Sequence, residues 1–167
     1  MFVVGIDPGL SRCGYGAVLA EPGGGRRAVA CGVITTPATD PLPRRLAALA
    51  ADLRALLTEL EPQVVAVERV FFQTNARTAM SVGQASGLAL VAAVEAGCEV
   101  AQYTANEVKQ AVTGYGAASK DQVQRMVRTL LGLAEAPRPA DAADALGLAL
   151  THLALAPLLA RAEAGVR

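Results

Sequence analysis

Phe2-Val3-Val4-Gly5-Ile6-Asp7-Pro8-Gly9 decides how the chain is read. An apolar run closed by an acid and a turn is a strand buried on both faces that stops where a carboxylate must leave the core. A sheet with both faces covered needs helices on each side, and the sequence supplies them.

Working outward, Gly14 to Ala20 and Ala28 to Thr35 read as two further strands, and Glu21-Pro22-Gly23-Gly24-Gly25 turns them into a hairpin. Pro43 opens a helix to about Glu61, with Leu46, Leu49, Leu53, Leu56, Leu57 and Leu60 at helical spacing, and Pro62 stops it. Residues 63–68 form the fourth strand, 76–96 a helix and 98–103 a short fifth strand. Thr104 with Glu107 and Ser119 with Gln122 are capping boxes that start two more helices. The glycine-containing stretch Gly114 to Ala118 between them is expected to be mobile, and a last helix spans about 140–160. The expectation is therefore an α/β domain with a five-stranded mixed sheet flanked by helices, one domain over 1–160, with a frayed tail at 161–167. Strands one and four could lie parallel and adjacent, which would join the carboxyl ends where open α/β sheets place their ligands.

Four acids sit where a core would not want them. Asp7 ends the first strand, Glu68 ends Val64-Val65-Ala66-Val67, and Asp141 and Asp144 lie three apart on one face of the last helix. Each has a plainer reading when taken alone. Asp7 makes a good turn with Pro8-Gly9, Glu68 could pair with an arginine, and the helix acids could meet the macrodipole. Their joint occurrence favours a shared cation. Hard oxygen ligands of this kind suit Mg²⁺ or Mn²⁺, and two such ions about 4 Å apart can activate water and stabilise the leaving oxygen of a phosphodiester. His152 lies eleven residues beyond Asp141, about 16 Å along the helix, too far to join that cluster.

The 167 residues fit one domain with a real core, and 53% hydrophobic with 18% charged residues marks a globular chain. Three scattered cysteines, Cys13, Cys31 and Cys98, match no metal spacing and read as reduced thiols of a cytoplasmic protein. The apolar stretch after Met1 is too short for a signal core, and Ala145 to Ala160 is shorter than a membrane span, so no membrane association is expected. Formal net charge is +0, but with the four suspected ligands set aside 11 acids face 15 Lys and Arg, a balance of +4. A metal-loaded form would be modestly basic, as a phosphate-binding protein should be.

Gly5-Ile6-Asp7-Pro8-Gly9 with Gly14-Tyr15-Gly16, Glu68-Arg69-Val70-Phe71-Phe72 with Asn75, Gly83-Gln84-Ala85, and Asp141-Ala142-Ala143-Asp144-Ala145 with Thr151-His152 occur in register. Together they resemble the RuvC family of bacterial Holliday junction resolvases, the crossover junction endodeoxyribonucleases, from residue 2 to about 155. The resemblance implies a ribonuclease-H-like fold, a homodimer, and Mg²⁺-dependent paired nicking of four-way junction DNA in recombination and repair. It implies Asp7, Glu68, Asp141 and Asp144 as catalytic, metal-holding acids, with two ions per subunit and Mn²⁺ as a substitute. It further implies phosphate contacts from Lys109 and Lys120, base stacking by Phe71, and work alongside the RuvA and RuvB branch-migration complex. Two positions depart from the family pattern. Arg69, where many members carry Gln, adds charge beside the acids, and Ser86, where many carry Arg, removes a basic contact.

The residues themselves support parts of this. Phe71 and Phe72 sit in a polar loop where exposed aromatics are unusual, and Lys109, Lys120, Arg125 and Arg128 against Glu107 and Asp121 leave 104–128 at +2. Ala79, Gly83 and Gly87 place small residues on one helix face, which invites close approach by either the sheet or a second subunit. The runner-up is a related ribonuclease-H-like nuclease acting on another structured nucleic acid. An actin-like ATP-binding domain would need a second glycine-rich phosphate loop, and a non-catalytic scaffold would lack at least one acid; neither fits.

Overall fold

The computed structural model describes residues 1–70 and 76–164. The main elements run β1 (Phe2–Asp7), β2 (Arg12–Ala20), β3 (Arg26–Thr35), α1 (Leu42–Leu60), β4 (Val64–Glu68), α2 (Ala76–Glu95), β5 (Glu99–Tyr103), α3 (Ala105–Thr113), α4 (Lys120–Leu130) and α5 (Ala140–Ala164). They form the expected α/β layers around one five-stranded sheet of order β3-β2-β1-β4-β5. β1, β2 and β3 pair antiparallel, while β1, β4 and β5 run parallel, so the sheet is mixed.

Strand alternation divides the core into two. Val3, Val64 and Ala66 pack with α3, α4 and α5 through Val108, Val123, Leu146 and Leu150. Val4, Ile6, Val65 and Val67 pack on the other face with Leu49, Leu53 and Leu57 of α1 and Ala85, Ala89 and Ala93 of α2. Successive strand side chains point to opposite faces, so both halves of the pattern are needed to fill both layers.

The hairpin strands are longer than expected. β2 begins at Arg12, paired to Thr35, and β3 at Arg26, because the antiparallel ladder continues to bond polar ends that no apolar pattern marks. α5 passes Pro157 and stays helical to Ala164, beyond the expected end at 160; residues 165–167 of the expected frayed tail lie outside the described residues. The stretch after α3 is tied down: Gln110 Nε2 donates to Gly114 O (3.0 Å), Tyr115 N to Thr113 Oγ1 (3.1 Å) and Ala118 N to Tyr115 O (3.0 Å). Gly114 turns this corner at φ 75°, a left-handed helix cap that favours glycine.

What positions the later site is the closeness of α5 to the sheet. A Cβ at Gly5 would overlap the Ala145 carbonyl oxygen, one at Gly14 the Asp141 carbonyl oxygen, and one at Gly16 would lie 2.6 Å from Leu146 N. These glycines, on adjacent strands, make a trough into which the backbone of α5 settles. Among the described residues no helix is long and apolar enough to cross a membrane.

Candidate active site

Asp7 and Glu68 owe their places to strand alternation. Val3, Gly5 and Asp7 face α5, as do Val64, Ala66 and Glu68, because residues two apart share a face. β1 and β4 are registered with Ile6 opposite Val67, so the next residues of each strand, Asp7 and Glu68, emerge side by side and hydrogen-bond through their carboxyl groups. α5 begins over the same rim, carrying Asp141 and Asp144 one turn apart.

The four acids share one electrostatic neighbourhood. Asp7 is pushed up to about 8, first by burial, then by the Glu68 carboxylate and the hydrogen bond to it, then by Asp144 and Asp141. Two cations answer this charge. Arg12 donates from Nη2 (2.8 Å) and Nε (3.0 Å) to Asp141 Oδ2, and Lys120 Nζ lies 2.6 Å from Asp144 Oδ2. That contact is the main cause of the upward shift of the Lys120 ammonium. Behind the rim, burial pushes the Cys13 thiol up to about 11, which makes it a packing group and not a nucleophile.

A cavity of about 380 Å³ opens here. Asp7, Glu68, Asp144, Lys109 and Lys120 supply its polar wall, and Ala105, Val108, Val123 and Leu148 its apolar floor. Asp141 stands outside this lining, turned to Arg12. Among the described residues no three acid, histidine or cysteine groups are already close-set enough to hold a metal ion. The donor set nevertheless fits one. Its ligands are all hard oxygens, and Asp7, pushed up first by burial and then by its acidic neighbours, is a carboxyl whose charged form a cation would favour. Asp7, Glu68, Asp141 and Asp144 could hold a divalent cation once Asp141 and Asp144 exchange their ion pairs for it.

Lys109 lines the cavity with no ion pair among the described residues, whereas Lys120 is already engaged. Phe71, Phe72 and Asn75 lie outside the described residues. Ser86 is buried on α2, so it does not face the site as a lost surface contact would. His152 is a core residue whose Nδ1 lies 2.8 Å from the Tyr103 hydroxyl. The sequence reading missed Arg12 and the apolar floor. A cation directly after the Asp7 turn is a weak signal for Arg12, since its reach to Asp141 spans 129 residues.

Residues 3–152 match the sequence model of a family described as crossover junction endodeoxyribonuclease RuvC. The RuvC enzyme of Moorella thermoacetica is 52% identical over 157 residues, covering 94% of this chain and 93% of its own. The Thermus thermophilus RuvC structure superposes with a TM-score of 0.87 at 43% identity, covering 95% of this chain and 96% of that chain. T. thermophilus RuvC in complex with Holliday junction substrate gives 0.86 at 40% identity, with the same coverage.

Proposed function

Because the chain belongs to the RuvC family of crossover junction endodeoxyribonucleases, we propose that it resolves four-way DNA junctions by Mg²⁺-dependent, paired phosphodiester hydrolysis during recombination and repair. The observation that supports this most is the crowding of four carboxylates at one sheet rim with too little positive charge to match them. Asp7, Glu68, Asp141 and Asp144 are the catalytic acids and would hold two Mg²⁺ ions per subunit, with Mn²⁺ as a substitute. When bound, such ions supply an activated water and neutralise the leaving oxygen.

The chain's own residues do the rest. Lys109 and Lys120 hold the phosphates flanking the cut, Lys120 turning from Asp144 to the strand as DNA arrives. Val108, Val123 and Leu148 keep the cavity floor free of water, which strengthens every charge interaction above it. Phe71 stacks on a base near the crossover. Residues 1–160 act as one nuclease domain in the cytoplasm, beside the RuvA and RuvB branch-migration complex.

The test is cleavage of synthetic four-way and linear duplex DNA with and without Mg²⁺. Symmetric nicks confined to the branched substrate and dependent on the ion are expected. Cutting of linear duplex at the same rate would replace this reading with a less selective nuclease.

Arg12 gives a finer prediction. Arg12→Gln removes a cation that competes for Asp141, so Mn²⁺ should bind severalfold more tightly by titration calorimetry. Unchanged affinity would show that Asp141 takes no part in holding the ion.

Pairing of cuts calls for a homodimer, and α2 offers the face for it. Met80 and Val94 are 67% exposed and Val91 49%. A Cβ at Gly83 or Gly87 would meet nothing within 4 Å. The small-residue face therefore does not serve the sheet, and a second copy can approach it closely. Gly87→Arg with Val94→Asp should give a monomer by light scattering and turn paired cuts into scattered single nicks. A variant that stays dimeric would move the interface elsewhere.

A further inference from the structure

Tyr115 stands out on the surface just past the C-terminal cap of α3. Its side chain is 61% exposed, yet its backbone is fixed on both sides by the hydrogen bonds from Tyr115 N to Thr113 Oγ1 and from Ala118 N to Tyr115 O. Next to it runs a groove of about 280 Å³ lined by Thr113, Tyr115, Ala118, Gln122, Arg125 and Met126. An aromatic face, a thioether and a guanidinium around one slot make a surface for a flat, polarisable ring. Arg125 has no ion-pair partner among the described residues, so its charge is open to a phosphate.

The groove continues the proposed DNA path. α3 carries both Lys109, which lines the catalytic cavity, and Thr113, which lines the groove. Four residues of helix separate them by about 6 Å, roughly two base steps at 3.4 Å per step along one strand. α4 instead stands between the two spaces: Lys120 and Val123 line the cavity, while Gln122 and Arg125, each two residues further on and so on another face of the helix, line the groove. A strand with a phosphate at Lys109 therefore brings bases about two steps further on to the groove that Tyr115 lines. The opposing acids are few: Glu107 is bound into the cap of α3 through Thr104, and Asp121 lies in the first turn of α4.

We propose that Tyr115 is a stacking platform and that its groove, with Arg125, takes an unpaired nucleobase of the junction strand leaving the active site. This rests on the resolvase reading above. Gln122 offers the base edge both a donor and an acceptor, and Met126 and Ala118 close the slot.

The test uses the full chain and a synthetic four-way junction carrying 2-aminopurine one, two or three nucleotides from the cut, with Ca²⁺ in place of Mg²⁺. Wild type and Tyr115→Phe should quench the probe at one of these positions. Tyr115→Ala should lose that quenching and weaken junction binding about tenfold, equal to roughly 1.4 kcal/mol. Its melting temperature should not change, because the ring is exposed. Arg125→Gln should weaken binding of every sequence alike and flatten the salt dependence by about one unit of slope. Tyr115→Ala binding within twofold of wild type with quenching intact overturns the proposal, and would leave the groove to a protein partner. A wild-type chain that binds no junction at all overturns the resolvase reading itself, and this inference with it.

Discussion

Asp7→Asn should lower junction cleavage by about 10³-fold or more and, in the same protein, raise the melting temperature of the metal-free form at pH 8. The two effects share a cause. Asp7 sits buried against Glu68, with Asp144 and Asp141 nearby, and holds its proton up to about pH 8. An unfolded aspartate releases that proton near pH 3.8. Between these values the folded chain binds more protons than the unfolded one, so stability falls as pH rises through that window. Below it there is no penalty, and above it the penalty is complete, on the order of a few kcal/mol. Asparagine keeps the shape, can still donate to Glu68, and carries no charge to strand. It therefore relieves the penalty while removing a carboxylate that a hard cation needs. Thermal melts of wild type and variant at pH 5.5 and pH 8 check the first half, and a junction-nicking assay the second. Mg²⁺ should raise the wild-type melting temperature more at pH 8 than at pH 5.5, because ion and proton compete for the same oxygens. A variant no more stable than wild type at pH 8 would mean the carboxylates are less crowded than the geometry indicates.

Gly5→Ala should cost about 3 kcal/mol or more, because one methyl group would have to share space with backbone. The added carbon would overlap the Ala145 carbonyl oxygen and lie 2.9 Å from both Ala145 C and Ala149 N. None of these atoms can swing aside as a side-chain end would. The only relief is to push α5 off the sheet, which opens the contacts of Leu146, Leu148 and Leu150 in the core. For a domain of this size the melting temperature should fall by roughly 6–12 °C. Cleavage should fall with it even below that temperature, since α5 carries Asp141 and Asp144. Circular dichroism melts and the nicking assay measure both. A shift under about 2 °C would show that α5 does not lean on the sheet as closely as Gly5, Gly14 and Gly16 indicate.

Much of this was legible along the chain. Unbroken apolar runs, each closed by an acid, marked β1 and β4 as buried strands and put Asp7 and Glu68 at their ends. The capping boxes at Thr104 and Ser119 form as read, each with its reciprocal pair of hydrogen bonds. Less was legible at the hairpin, where β2 and β3 outrun their apolar patterns because ladder bonding ignores side-chain type. The loop from Gly114 to Ala118 read as mobile because glycine and alanine give no sign of the Thr113 and Gln110 side chains that tie it.

The sequence by itself determined the layers, the mixed sheet and the identity of the clustered acids, since these follow from alternation, helical spacing and turn residues that act over a few positions. Only the tertiary structure decided which cation each acid meets. Arg12 reaches Asp141 across 129 residues and Lys120 turns to Asp144, while Glu68 falls to Asp7 through the register of β1 on β4. It also decided that the glycines of α2 face open space while those of β1 and β2 receive a helix. The reason is one of range: local periodicity fixes the direction in which a side chain points, and the packing of distant segments fixes what it meets there.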